Sequence, residues 1–536
     1  VGLSTADVQH VDREARGVLL VAERVVTLGH GRHAARALLV RGTRVVWVGD
    51  DPAQAPAHAV RVDLPGCMIG PGFVDAHVHL TATGITLDGV DLREATSVEQ
   101  VLRMVRTTAS ATPGRVVWGH GWDMRLDRLP TPDELSAAAD GRTVFLSRID
   151  GHSSVVDRRT LTSAPLARAH GLEHDAEGDP NGLLRLEANK IARRWAVGAM
   201  SAAELDAARH RVARHAAARG IVSVHEMNGP DLFGAADFDA WRLGSWPLEV
   251  VPYWSGLDLA FAAERGLEQV GGDLYLDGAL GSHTAALEQP YADHEGRGRL
   301  ELDDDTFTAL CLEATHHGLQ VAVHAVGDAA LRQVVRCWEQ VEQQLPEHMD
   351  GAVRRLHHRI EHAEVLPPDL YDRIGLLGLI ISAQPSFETL WGGPGGLYER
   401  RLGPERAGWT NPFRALADHG IALAFGSDSN VTPMDPWAGV HAAEHRREPG
   451  LAVDRLEAVS AHTLGGRVAA RQERDVGPLR AGKRADLAVW EGDPFAADDP
   501  RGARCVLTVL RGRVTHGVAD AATRQPHLAE LPAALG

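Results

Sequence analysis

Gly70-Pro71-Gly72-Phe73-Val74-Asp75-Ala76-His77-Val78-His79-Leu80 is an apolar run that ends in two histidines one residue apart. In a strand, residues i and i+2 share a face. His77 and His79 therefore aim two imidazoles at one point, while Val78 turns away. Two convergent imidazoles at a strand end are half of a divalent-metal site. Exposed histidines also fall into this spacing by chance, so the reading depends on further ligands at other strand ends.

Downstream, Ser201-Ala202-Ala203-Glu204 is a capping box opening a helix that stops at Gly220. Strands are expected at Ile221–Val224, ending at His225-Glu226, then at Leu248–Tyr253 and, less sharply, Val270–Leu276. Leu319–Val323 leads to His324, Leu356–Ile360 to Glu361-His362, and Leu379–Ala383 to Gln384. Asn411-Pro412 has Ncap and N1 chemistry, and Ile421–Phe425 leads to Gly426-Ser427-Asp428. With Phe73–His79 first, eight strands alternate with helices, which predicts an α/β protein built as a (β/α)8 TIM barrel. An open doubly wound sheet is the alternative, but no G-x-G-x-x-G follows any strand.

Outside the barrel, Val18–Val21, Ala37–Val40 and Arg44–Val48 read as short strands near one end, Ala485–Trp490 and Cys505–Leu510 near the other. A composite β-sandwich built from both termini is expected, its parts being 1–68 and 466–536 with an Ala/Pro-rich tail from Ala519, around a barrel at 69–465. A long segment, about 81–220, separates the first two barrel strands and reads as an inserted cap subdomain over the mouth.

The chain of 536 residues carries a formal net charge of -17 with no basic cluster, which argues against nucleic acid or an anionic membrane as partner. No apolar run approaches the ~20 residues of a membrane helix, and no signal-peptide pattern is visible at Val1-Gly2-Leu3-Ser4. Cys67, Cys311, Cys337 and Cys505 lack pair spacing and read as buried thiols of a cytoplasmic protein. A small-molecule substrate is expected, and a homodimer is left open.

His77, His79, His324, His362 and Asp428 end four different strands, and barrels gather their active sites at those ends. Five ligand-type residues thus converge on one pocket. The adjacent pairs His316-His317 and His357-His358 point apart and read as non-ligands. Zinc suits such an N/O set; manganese or iron also fits. A bound divalent metal acidifies water and polarises a carbonyl. Asp428 would ligate it, take the water proton and pass it to the leaving nitrogen. His362, or His324, could polarise the substrate carbonyl.

These segments, with Gly121-Trp122-Asp123, Arg148-Ile149-Asp150-Gly151-His152, Asp277-Gly278-Ala279-Leu280-Gly281-Ser282 and Gly482-Lys483-Arg484-Ala485-Asp486-Leu487, resemble the amidohydrolase superfamily, more narrowly its YtcJ-like branch, amidohydrolase family 3. The resemblance implies a metal-bearing barrel, a composite β-sandwich and hydrolysis of an amide or other non-peptide C–N bond. A deaminase of the same superfamily is the alternative; a binding protein without activity is a third. Trp122, Asp150 and His152 lie in the expected cap, where they either contact substrate or pack within the insertion. One departure stands out. Where many relatives have a lysine that is carboxylated to bridge two metals, this chain has Asp273, and its two lysines, Lys190 and Lys483, lie elsewhere. One catalytic metal is therefore expected, unless its strand carries Asp273 to the mouth, where its carboxylate could act as the bridge.

Overall fold

The computed structural model describes residues 17–29, 32–111, 114–446 and 448–517. Phe73–Val78 (β1) is buried at every position, as befits a strand covered on both faces. It lies at the edge of a three-stranded parallel sheet with Ile221–Asn228 (β2) in the middle and Glu249–Trp254 (β3) beyond. Gln269–Tyr275 (β4), Gln320–Ala325 (β5), Arg359–His362 (β6), Ile380–Ala383 (β7) and Leu423–Phe425 (β8) form a five-stranded parallel sheet in chain order. The eight expected strands are therefore present among the described residues, but divided between two sheets. Backbone bonds from Asp428 N to His77 O (2.8 Å) and from His79 N to Ser429 O (2.8 Å) tie the chain after β8 to the end of β1.

Several boundaries differ from expectation for local reasons. β6 starts at Arg359 rather than Leu356, because a short helix, Ala352–Arg355, occupies the preceding residues and His357 turns at φ 54°. The helix near Asn411 starts at Phe413; Asn411 sits at φ 45° and donates its amide to Glu388 instead of capping. β4, the least legible strand, is broken by a bulge between Gly271 and Tyr275. Gly271 and Gly272 take φ 87° and 82°, and a Cβ on Gly271 would lie 1.9 Å from the Ala322 carbonyl oxygen. Bulges re-aim side chains, and the residue re-aimed here is Asp273.

The inserted segment has its own six-stranded sheet, running from Val90–Asp91 to Pro180–Arg185. It is shorter than 81–220. The helix Ala202–Ala217, which does open with the Ser201–Glu204 capping box, packs Val212, Ala213 and Ala216 into the core beneath the parallel strands. The terminal segments do meet, in one seven-stranded sheet. Its strand order is 513–516, 505–510, 487–491, 60–71, 18–29, 32–41, 44–49. The sheet bends at bulges in strand 18–29 and folds over a shared apolar core, so that Val45 N reaches Lys483 O (2.9 Å). The boundary expected at 465 falls inside a helical run that continues to Ala469. The tail from Ala519 lies outside the described residues. All four cysteines are buried and free. No helix among the described residues is long and apolar enough to cross a membrane.

Candidate metal centre

β1 delivers His77 and the residue after it delivers His79. His324 stands on β5 and His362 ends β6. Asp428 follows β8, and the bulge in β4 turns Asp273 into the same space. Asp273 Oδ1 is 3.5 Å from His77 Nε2 and 3.5 Å from His324 Nδ1. Asp273 Oδ2 is 3.2 Å from His79 Nε2. Asp428 Oδ1 is 3.2 Å from His79 Nε2 and 3.7 Å from His77 Nε2. Two donors each ~2.0–2.1 Å from a tetrahedral zinc lie about 3.4 Å apart, so these separations are those of atoms sharing an ion. Three overlapping ligand groups result: His77, His362 and Asp428; His77, His79 and Asp273; Asp273, His324 and His362. Asp273 thus stands between the two histidine pairs, the placement that a bridging carboxylate requires.

The outer contacts fix which ring nitrogen faces inward. His77 Nδ1 donates to the Glu361 carboxylate (2.9 Å), His79 Nδ1 to Met227 O (3.0 Å), His362 Nδ1 to Gln384 Oε1 (2.8 Å) and His324 Nε2 to Gly278 O (3.3 Å). The opposite nitrogen of each ring is then the one that can offer a lone pair to an ion at the centre. His77 Nε2, His324 Nδ1, Asp273 Oδ1 and Asp428 Oδ1 are buried without a hydrogen-bond partner among the described residues. Buried polar atoms are normally paired, and four unpaired acceptors facing one point fit a divalent cation.

Electrostatics agree. Burial would lift the Asp273 carboxyl, but His79, His324 and His77 hold it well below its ordinary value. Burial would lower His79, but Asp273 and Asp428 hold it well above. His362 is brought down to about 3 by burial and by His324 and His77, which keeps its imidazole neutral. With Nδ1–H committed to Gln384, the inward Nε2 of His362 has a lone pair to offer.

The scaffold behind the ligands reaches far along the chain. Asp75 accepts from Ser427 N (2.8 Å) and the Ser427 hydroxyl (2.5 Å), fastening the Asp428 turn to β1. The buried Arg359 donates twice to Glu361 (2.9 Å each) and also reaches His225 Nδ1 (2.7 Å). His225 is thereby a support for the His77 partner, not a ligand. Glu226 accepts from Leu80 N (2.6 Å). Asp277 takes three backbone N–H groups, from Ala286, Val326 and Gly327, which makes it a loop anchor. His316 and His317 are exposed, and His358 Nδ1 accepts from Val321 N (2.9 Å).

A cavity of about 300 Å³ opens over the cluster. Asp150 and His152 line it; Asp150 is bound by Arg148 and by the Ser282 hydroxyl (2.9 Å), and the His152 ring lies 5.9 Å from that of His324. Of the two readings open for Trp122, the structure shows the packed one: it is buried in the insertion's own core, donates its indole N–H to Leu146 O (2.8 Å) and does not line this cavity. The sequence reading also passed over Tyr275, whose hydroxyl donates to Asp273 Oδ2 (3.1 Å), and Arg193 on the facing wall. Neither carries a spacing signal, because each is placed by tertiary contacts.

YtcJ of Bacillus subtilis (strain 168), named as an amidohydrolase, is 28% identical over 506 residues, covering 85% of this chain and 90% of that protein. The N-substituted formamide deformylase of Arthrobacter pascens is 25% identical over 549 residues, covering 93% and 97%. The crystal structure of a metal-dependent hydrolase from Pyrococcus furiosus superposes with a TM-score of 0.71 at 28% identity, over 89% of this chain and all of that one. Residues 61–516 match the sequence profile of the amidohydrolase family, and the chain belongs to that family.

Proposed function

We propose that this protein hydrolyses an amide or other non-peptide C–N bond of a small molecule at a centre where Asp273, between His77/His79 and His324/His362, would help to hold two divalent metals. The observation that carries the reading is the position of Asp273 between His77/His79 and His324/His362, with Oδ1 left unpaired. Two close cations repel, and an anionic bridge offsets that repulsion. Zinc suits this donor set, with manganese and iron as alternatives. The two sheets are read as one closed (β/α)8 barrel with its mouth at this centre.

When bound, the metals would acidify water and polarise the scissile carbonyl. The rest falls to the chain's own groups. Asp428, with His77 and His79 keeping its carboxyl below the ordinary value against burial, stays ionised, accepts the proton of the attacking water at a carboxylate oxygen and returns it to the leaving nitrogen. His77, His79, His324 and His362 hold lone pairs inward because their outer nitrogens are committed. The insertion covers the mouth and limits water. The Arthrobacter pascens relative, a deformylase of N-substituted formamides by name, supports a C–N substrate.

Metal analysis with product analysis tests the reading. Purified protein should hold close to two equivalents per chain, and Asp273→Ala should fall toward one or none. Amide cleavage releases a carboxylate and an amine. Ammonia released from an intact ring would establish deamination instead. A single equivalent in active protein, unchanged in Asp273→Ala, would overturn the bridged pair.

A further inference from the structure

The cavity over the metal centre has one wall that the reaction above does not use. Helix Leu186–Ala199 forms it, and Lys190, Arg193 and Arg194, at i, i+3 and i+4, share one face of that helix and line the cavity. In a chain of net charge -17, three adjacent cations facing a small cavity call for an anion.

Their countercharge within the protein is incomplete. Asp231 serves both Lys190 (3.3 Å) and Arg194. The other acids of the cavity are engaged elsewhere: Glu187 accepts from His170 N (3.0 Å), Glu301 pairs with Arg299 (2.9 Å), Asp150 pairs with Arg148, Asp277 accepts three backbone N–H groups, and Asp273 and Asp428 face the histidine cluster. Arg193 has no carboxylate within ion-pair distance among the described residues. Its one hydrogen bond there runs from Nη2 to the Gly151 carbonyl (2.7 Å), which holds the guanidinium in place and leaves other N–H groups uncommitted. The wall is also near the chemistry. The Lys190 ammonium lies 5.2 Å above the Tyr275 ring, and the Tyr275 hydroxyl is bonded to Asp273. One tyrosine ring separates the cationic wall from the metal ligands.

We propose that Arg193, with Lys190 beside it, binds a carboxylate on the part of the substrate remote from the scissile bond, so that the substrates are small N-acylated amino acids or amide acids of similar size. The proposal rests on the hydrolase reading above and narrows its substrate class. A planar guanidinium with free N–H groups matches the fork of one carboxylate. A phosphate, with more charge and more acceptors, would require further unpaired donors, and Lys190 and Arg194 are already shared by Asp231.

The test uses metal-loaded full-length protein and matched pairs: N-acetylglycine, N-acetylmethionine and N-formylmethionine, each against its own carboxamide. Binding is measured by calorimetry and turnover separately. The acid of a pair should bind at least about tenfold tighter than the amide, and the difference should shrink as salt is raised. Arg193→Gln should lower the acid to the affinity of the amide without changing metal content, and Arg193→Lys should restore part of the preference. Equal affinity for acid and amide, or undetectable binding of both across the panel, overturns the proposal. So does a preference that survives in the Arg193→Gln/Lys190→Gln double variant, because the carboxylate would then be held by the metal. Failure of the hydrolase reading is a different result: selective binding of the acids with no amide cleaved.

Discussion

Two largely buried ionic clusters lie at opposite ends of the parallel strands, and they are completed differently. At the N-terminal end, Glu249 at the head of β3 receives Arg467 (2.6 Å), Arg484 (2.5 Å) and Arg511 (2.9 Å). Asp486 receives Arg467 (3.0 Å), Arg484 (2.5 Å) and Arg511 N (2.8 Å). Each carboxylate here is answered from within the polypeptide, and the cluster pins the terminal sheet to the parallel strands. At the C-terminal end, four buried acceptors face one another without a donor. Burial and charge are common to both clusters, so neither marks a functional site. What separates the catalytic candidate from the structural joint is the set of atoms that the fold leaves unpaired.

Three substitutions test that contrast. The largest effect is expected from Asp428→Asn, which removes the proposed proton carrier while keeping the side-chain shape. In metal-loaded protein kcat should fall about 10²–10⁴-fold, with the melting temperature close to that of the parent. A kcat near the parent value would remove Asp428 from the proton path.

Glu249→Gln should act in the opposite way, on stability rather than on turnover. Burial would raise this carboxyl, but Arg467 and Arg484 bring it down to about 2 from an ordinary 4.5. That difference corresponds to stabilisation on the order of 3 kcal/mol. A depressed folded-state value means the contribution is complete above the unfolded-state value and is lost as pH falls through about 2. Thermal denaturation across pH 2 to 7 should therefore show the parent losing its margin over Glu249→Gln between about 4.5 and 2. Parallel curves for the two proteins would mean that the arginines add nothing to stability.

Trp122→Phe gives the smallest effect. It removes the hydrogen bond to Leu146 O in the insertion core, worth about 1 kcal/mol, and should leave KM unchanged for any substrate cleaved. A raised KM with unaltered stability would return Trp122 to the substrate site.

The sequence exposed the parts of the centre that obey a strand's period of two. His77 and His79 share a face because they are two residues apart, and His324, His362 and Asp428 were visible as polar ends to apolar runs. Asp273 was harder, because Gly271-Gly272 interrupts the apolar pattern of β4 and the bulge that turns the carboxylate inward is a property of the folded backbone. The outer acceptors were not legible as a set. Glu361 is 284 residues from His77 in the chain, and the Met227 and Gly278 acceptors are backbone carbonyls, which every residue possesses. Trp122 stayed ambiguous because a large aromatic in a cap fits either a pocket or a core. Alternation predicts the terminal strands but not their neighbours, so the order in which they pair is not legible.

The bonds joining the end of β1 to the turn after β8 have a consequence for biosynthesis. Asp75 and Ser427, which fasten this seam, are 352 residues apart. At ~5–20 residues per second of synthesis, Asp428 leaves the ribosome about 20–70 s after His77. During that interval the nascent chain holds an exposed His-x-His pair with no carboxylate from the far strand to complete a site. On the proposed metal reading, stable uptake would wait for the far strand, and a tightly held ion would report that the first and last parallel strands have met.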